Sequence, residues 1–340
     1  MTGFRMPAEW EPHSRKLIGW PCREWSWGST LEQGREEFAR VANTIAAYEP
    51  VTMVCATEEH AHGARTRLSE AVDIIVRPMD GSWLRDNGPI FVTNGTELQA
   101  RHFRFSAWGE RHADRDRDAR LGATLARDIG VKATPIDVVL EGGAVTVDGA
   151  GTMIAPEGCV MHPSRNWYLS KEHVEADLSE ALGLDRVIWI KEGLTEDQTR
   201  GPNRMYYGTD GHIDLLMCFI GGGRVLMLEV PEDNINFKPL AASRALLETA
   251  GIEVVGFPHM SGFEADGHHF IAPYMNFYIC NGAVIMPLAG EDSGADEAAR
   301  AELAEHFPGR DIIGLPMRAA PMQGGAIHCL TQQVPAISAS

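Results

Sequence analysis

The sequence contains no Cys-x-x-Cys pair, no His-Glu-x-x-His, no Gly-x-Gly-x-x-Gly behind its first strand and no Walker motif. A zinc ribbon, a thioredoxin-type site, a zinc-protease helix and a nucleotide loop each depend on one of these spacings, so none is supported. Cationic side chains are scarce beside acidic ones, 30 Lys and Arg against 47 Asp and Glu, for a net charge of −17. A nucleic-acid or anionic-membrane partner would need a basic face, which this balance argues against. Clefts lined with carboxylates concentrate cations, so the same balance suits a positively charged substrate as well as plain solubility. Residues Met1 to Glu11 carry no apolar signal-peptide core, and no apolar run approaches membrane-span length. The expected location is cytoplasmic. Six cysteines, at positions 22, 55, 159, 218, 280 and 329, mostly sit in apolar runs such as Met53-Val54-Cys55 and Tyr278-Ile279-Cys280, as reduced core thiols do.

What is present is enough for one large domain or two ordinary ones: 340 residues, 44% hydrophobic and 23% charged. A lead-in rich in proline and aromatics, Met6-Pro7-Ala8-Glu9-Trp10-Glu11-Pro12-His13, precedes a short strand at Leu17–Trp20 that Pro21 stops. Helical spacing puts Leu31, Phe38, Val41, Ile45 and Ala46 on one side of a helix over 31–47. Val51–Cys55 reads as a buried strand, and a second helix is expected over Thr66–Glu70. From Asp73 onward a unit recurs, in which a strand leads to a short polar cluster and then to apolar segments with a glycine turn. The leading strands are Asp73–Val76, Asp137–Leu140, Arg186–Ile190, Ile252–Val255 and Asp311–Leu315. Asn94-Gly95, Asp148-Gly149 and Asn281-Gly282 are hairpin signals, because both residues of each pair tolerate positive φ. Helical intervals at Glu172–Leu182, Leu240–Ala250 and Ala295–Phe307 separate the units. About five mixed β/α units suggest radial repetition within a single domain over residues 1–340. An open doubly wound sheet is the competing arrangement.

Each unit brings polar side chains to the same relative place: Asp86, Glu141, His212 with Asp214, Asn276, and Cys329. Singly, each has a plain reading. Arg85-Asp86 can be a local ion pair, Glu141 can cap a turn, His-x-Asp can be a satisfied polar pair on one strand face, and Cys329 can be a small buried hydrophobe. Units set around an axis would bring them to one pocket, and together they suit attack on a guanidinium carbon. Asp86 and Asp214 can grip the planar cation by charge-assisted hydrogen bonds. A thiolate at Cys329 is the nucleophile, and the substrate's charge beside it lowers the thiol pKa. An imidazole at His212 protonates departing ammonia and later activates water, with Glu141 orienting it. Gly324 and Gly325 let the backbone pass close to a ligand or another strand.

Four segments carry a resemblance: Trp83-Leu84-Arg85-Asp86-Asn87-Gly88-Pro89, Leu140-Glu141-Gly142-Gly143, Thr209-Asp210-Gly211-His212-Ile213-Asp214, and Gly324-Gly325-Ala326-Ile327-His328-Cys329-Leu330-Thr331-Gln332-Gln333. With the lead-in and Tyr274-Met275-Asn276-Phe277, they make the chain resemble the agmatine deiminase family of the guanidino-group-modifying superfamily, over nearly its whole length. The resemblance implies a five-bladed α/β propeller of the pentein type, built from pseudo-fivefold ββαβ units. It implies Cys329 as nucleophile, His212 as general acid and base, Asp86 and Asp214 on the guanidinium, and Glu141 paired with His212. Trp83 and Trp10 would wall the pocket, where an aromatic face can stack on the cation, with Asn276 and Gly325 also at the substrate. The implied reaction converts agmatine to N-carbamoylputrescine and ammonia, with no metal or organic cofactor, a small cationic guanidino substrate as partner, and a homodimer left open. The sequence departs from the agmatine pattern at Asn87, Ser106, Glu110, Leu215, Gln323 and Ala326, and His268-His269 is not typical of it. Such changes fit the same chemistry on an altered guanidine, such as an arginine derivative.

Other classes use the same residues. A metal-dependent hydrolase could draw on His212, Asp214, His268, His269 and His328, although His-x-Asp is not a recognised zinc spacing. An amidinotransferase would pass the amidino group from the same cysteine to an amine. A binding module would hold a cationic metabolite without turning it over.

Overall fold

The computed structural model describes residues 3–198, 208–258, 263–265, 268–270, 274–288 and 293–338. In chain order the strands are β1 (His13–Gly19), β2 (Val51–Cys55), β3 (Val72–Val76), β4 (Ile90–Thr93), β5 (Leu98–Arg104), β6 (Lys132–Val139), β7 (Thr146–Val147), β8 (Thr152–Pro156) and β9 (Arg186–Ile190). They continue with β10 (Met217–Gly221), β11 (Arg224–Glu229), β12 (Glu253–Pro258), β13 (Phe263–Ala265), β14 (His268–Phe270), β15 (Tyr278–Cys280), β16 (Ala283–Leu288), β17 (Asp311–Pro316) and β18 (Thr331–Pro335).

Five sheets share one plan. A middle strand pairs antiparallel on one side and parallel on the other: β18-β1-β2, β4-β5-β6, β7-β8-β9, β10-β11-β12 and β15-β16-β17. The first sheet adds β3 beyond β2, and β13 with β14 forms a separate ribbon. A parallel pair cannot be joined by a tight turn. The parallel step of each shared plan accordingly crosses through a helix, Leu31–Ile45, Asp118–Asp128, Lys171–Leu182, Phe237–Thr249 and Ser293–His306, and the added β2–β3 step crosses through Glu58–Arg65. The architecture is α/β in several small sheets, which sets aside a single open doubly wound sheet among the described residues.

Local chemistry explains the elements. Helix Leu31–Ile45 buries Leu31, Phe38, Val41, Ala42 and Ile45 along one stripe against a core that includes the fully buried Met53 and Val54 of β2. Ser170 caps helix Lys171–Leu182 by accepting from the His173 amide at 3.2 Å, and Gly183 closes it in the left-handed conformation at φ 69°. The helix expected over Thr66–Glu70 lies earlier, at Glu58–Arg65, because the Thr57 hydroxyl caps that start and two glutamates fill its first turn. No helix is long and apolar enough to cross a membrane among the described residues.

The repeating unit is also offset from its expected boundaries. Strand β3 pairs with β2, and β6 with β5, so each leading strand closes one sheet and the segments after it open the next. The polar clusters therefore occupy the links between sheets. Asp86 lies between β3 and β4, Glu141 between β6 and β7, and His212 with Asp214 between β9 and β10. Asn276 lies just before β15 and Cys329 between β17 and β18.

Candidate active site

All five links meet. The Cys329 thiol, 5% exposed, donates to Asp214 Oδ2 at 3.2 Å and receives the Asn276 side-chain amide at 3.2 Å. His212 stands between two carboxylates, its Nδ1 3.9 Å from Asp86 Oδ1 and its Nε2 3.8 Å from Glu141 Oε2. These are ion-pair separations, too long for hydrogen bonds. Asp86 accepts from the Gly143 amide at 2.9 Å and from Trp108 Nε1 at 2.8 Å. Gly143 holds the centre: a Cβ there would lie 2.6 Å from His212 Nδ1 and 3.0 Å from Asp86 Oδ1, so no other residue leaves the groups this close. Gly325 acts similarly, since a Cβ would meet the Trp83 ring at 2.7 Å and Cys329 Cβ at 3.0 Å.

A cleft open to solvent leads to these groups. Asp86 and Cys329 line it with Trp27, Trp83 and Trp108. Trp27 stacks on Trp83 with centroids 6.1 Å apart and planes 16° from parallel. Trp10 is not among the lining residues. It packs against the apolar clusters around β10 and β11, close enough to Gly221 that a Cβ there would lie 3.7 Å from its ring, so Trp27 and Trp108 supply the further aromatic walls expected of it. Asn276 is buried, and its amide is engaged by protein. Its Oδ1 accepts the backbone N–H of Ala326, His328 and Cys329 at 3.1, 3.1 and 3.3 Å, which shapes the turn that carries the thiol.

The sequence did not single out several other groups found here. Arg165, with a fully buried side chain, donates from Nε to Glu141 Oε2 at 2.8 Å, from Nη1 to Asp210 Oδ2 at 2.9 Å and from Nη2 to the Thr209 carbonyl at 2.8 Å. His328, read earlier only as an alternative metal ligand, pairs with Asp214 and Glu9. Ala107, Trp108, Glu110 and Asp210 all hold positive φ, between 54° and 65°, in the segments that deliver Trp108 and His212. Backbone strain of this kind concentrates at functional sites.

The charges order themselves by environment. Burial opposes the imidazolium of His212, but Asp86, Glu141 and Asp214 outweigh it and raise His212 to about 9. Burial opposes the Glu141 charge as well, and Arg165 with His212 brings it down to about 2. Burial raises the Cys329 thiol well above its ordinary range, and the Asp214 and Asp86 charges add to this. Asp86 is raised by burial, partly countered by His212. At neutral pH the site holds an imidazolium acid next to a protonated thiol. In Asp86→Asn, the His212 titration midpoint, followed by NMR of labelled imidazole carbons, should fall from about 9 toward 6.5. An unmoved midpoint would remove Asp86 as the principal source of the shift.

Among the described residues, Glu141, Cys159 and His212 place donor atoms within 4.8 Å of one another. Arg165 already occupies Glu141, and the Cys159 thiol is turned to the Thr209 carbonyl at 3.6 Å, so this is a poor metal cradle. The side chains of His268 and His269 lie outside the described residues.

Fold and site together define an α/β protein with a buried cysteine, histidine and carboxylate centre at the meeting of its sheets. The chain belongs to the Porphyromonas-type peptidyl-arginine deiminase family, whose model matches residues 5–335. It is 35% identical to an agmatine deiminase of Stutzerimonas stutzeri, covering 98% of this chain and 96% of that protein. An agmatine deiminase of Medicago truncatula is likewise 35% identical, with 98% and 97% covered. The solved agmatine deiminase of Enterococcus faecalis matches with a TM-score of 0.88 at 28% identity, over 98% of this chain and 96% of that one.

Proposed function

We propose that this chain is a hydrolase of linear amidines that converts agmatine to N-carbamoylputrescine and ammonia. The observation that carries this reading is the cleft floor, where the Cys329 thiol lies 3.2 Å from Asp214 Oδ2 and shares a lining with Asp86. A guanidinium held by those two carboxylates cancels the charges that keep the thiol protonated, so the substrate itself promotes loss of the thiol proton to water and formation of the thiolate. The Sγ–C bond forms, His212 gives its proton to one nitrogen, and ammonia leaves as the C–N bond breaks. A cationic amidino-cysteine remains. Neutral His212 then takes a proton from water as the hydroxyl attacks the same carbon. Collapse to the ureido carbonyl releases the hydroxyl proton and returns the thiolate. Glu141, anchored by Arg165, holds His212 and favours its charged form.

The agmatine deiminases of similar sequence support agmatine as the substrate and polyamine supply as the context. Five sheets of one plan and five links meeting at one site support a five-bladed pentein-type propeller, a single catalytic domain over 1–340. The six free cysteines support a cytoplasmic setting.

One observation favours a second reading, the same chemistry on a guanidine with an anionic tail. Arg23 and Arg111 line the cleft, and Arg23 Nε and Arg111 Nη1 are buried without a hydrogen-bond partner among the described residues, although Arg23 faces Asp114 and Asp118 at 3.8 Å and Arg111 Nη2 faces Asp210 at 3.1 Å. Asp86 is the one carboxylate in that lining. Ammonia and ureido release should be measured for agmatine, arginine, methylarginines, 4-guanidinobutyrate and a peptidylarginine. Turnover of agmatine is the expected result. Turnover of guanidinobutyrate or arginine without agmatine would transfer the assignment to the second reading. Transfer to an added amine would make the enzyme an amidinotransferase, and no product from any guanidine would overturn the deiminase assignment.

A further inference from the structure

His328 lies beside the nucleophile and has carboxylates on both sides. Its Nδ1 is 2.9 Å from Asp214 Oδ2, and its Nε2 is 2.8 and 3.0 Å from the two oxygens of Glu9. Ionised carboxylates accept hydrogen bonds and do not donate them. Both ring nitrogens must therefore carry hydrogen, which makes the ring an imidazolium. Glu9 is in turn 3.0 Å from Arg85 Nη1, so one partly buried carboxylate bridges two cations. Asp214 receives both His328 Nδ1 and the Cys329 thiol on Oδ2, while its Oδ1 is buried with no hydrogen-bond partner among the described residues.

We propose that His328, held as an imidazolium by Glu9, is a positioning residue that fixes Asp214 with its Oδ1 open to the substrate guanidinium, a role that rests on the deiminase reading. The groups facing the His328 ring and its peptide are Glu9 from the lead-in, Asp214, Arg85, Cys329 and, across a small shared cavity, Cys218 of β10. Lys16 of β1 acts on the ring through Glu9. Burial and Arg85 oppose the imidazolium, yet Glu9 and Asp214 raise His328 above its ordinary range. Glu9 is itself held below the carboxylate range, against burial, by His328 and Arg85. Without the Glu9 charge, His328 would face Arg85 with Asp214 alone in its favour, and its pKa would fall.

The test is Glu9→Gln, read in two ways. NMR of labelled histidine should find His328 titrating above its ordinary range in the wild type and distinctly lower in the variant. The variant's kcat/KM, relative to wild type at the same pH, should fall about 10- to 100-fold at pH 8, as loss of an orienting partner does. It should recover toward wild type at pH 5.5, where His328 regains its proton, and His212, at about 9, stays protonated throughout this range. Glu9→Asp, which keeps the charge, should restore part of the activity. A deficit equal at every pH, or a wild-type His328 that titrates near 6.5, would overturn the proposal. If Glu9→Gln does not fold, as judged by its thermal melt, the wild-type titration decides alone. Failure of the deiminase reading is distinguishable, because wild type would then make no ureido product whatever the protonation of His328.

Discussion

Cys329→Ser should lose turnover by roughly 10⁴-fold or more, with guanidine binding retained. The hydroxyl replaces the thiol with little change of shape, so the carboxylates that grip the cation stay in place. Its ionisation is what fails. In this pocket burial and the Asp86 and Asp214 charges already push even a thiol well above its ordinary range. The cation of the substrate can bring a thiol within reach of ionisation near neutral pH, but an alcohol starts far too high. Two measurements check this. Ammonia release should vanish in the variant while calorimetry still detects substrate binding. In wild type quenched during turnover, the peptide containing Cys329 should carry the mass of the guanidine less ammonia, an N-alkylamidino group. A serine variant that keeps turning over, or an adduct on a different residue, would remove Cys329 as the nucleophile.

That cysteine could be found from sequence because the site is built from short segments at sheet links. Each link keeps its polar group within a few residues of a glycine or a strand end, so Asp86, Glu141, His212, Asp214 and Cys329 stand out as local patterns. Helix Lys171–Leu182 was legible for a related reason, since both caps are local chemistry. Long-range partners leave no such mark. Glu9 and His328 are 319 residues apart, and nothing near either residue points to the other. The boundary of the repeating unit was misplaced in the same way: β3 and β4 follow each other closely, yet β3 joins β2. Helix Asp118–Asp128 was not anticipated, since Leu121 and Leu125 are the large apolar residues it buries amid a run of Arg and Asp. Trp10 looked like a wall of the pocket by its place in the lead-in motif, but it fills an apolar seam between two core clusters.

Arg165→Met should damage both the fold and the chemistry. Arg165 lies in a loop without periodicity, and its side chain is wholly buried between Glu141 and Asp210. Methionine fills much of the volume but takes the guanidinium from two buried carboxylates, leaving Glu141 with His212 at 3.8 Å and Asp210 with Arg111 at 3.1 Å. Breaking a buried pair in this way costs about 3–5 kcal/mol, because each carboxylate loses its hydrogen-bonded cation at a place water does not reach. With about 2.1 cal/mol/K of unfolding entropy per residue, that corresponds to a Tm lower by roughly 4–7 °C for a chain of this length. The pH dependence has a definite sign. Glu141 is depressed to about 2 from an ordinary 4.5, so its stabilisation is complete above pH 4.5 and is lost as pH falls through about 2. The difference in Tm between wild type and variant should therefore be largest near neutral pH and shrink under acid. Activity falls for a linked reason: without Arg165, Glu141 rises toward its neutral form, and His212 loses one of the charges that hold it at about 9. The imidazole midpoint should move down in step with kcat. A variant with unchanged Tm and an unchanged His212 midpoint would mean that solvent reaches Glu141 and Asp210 in place of the guanidinium.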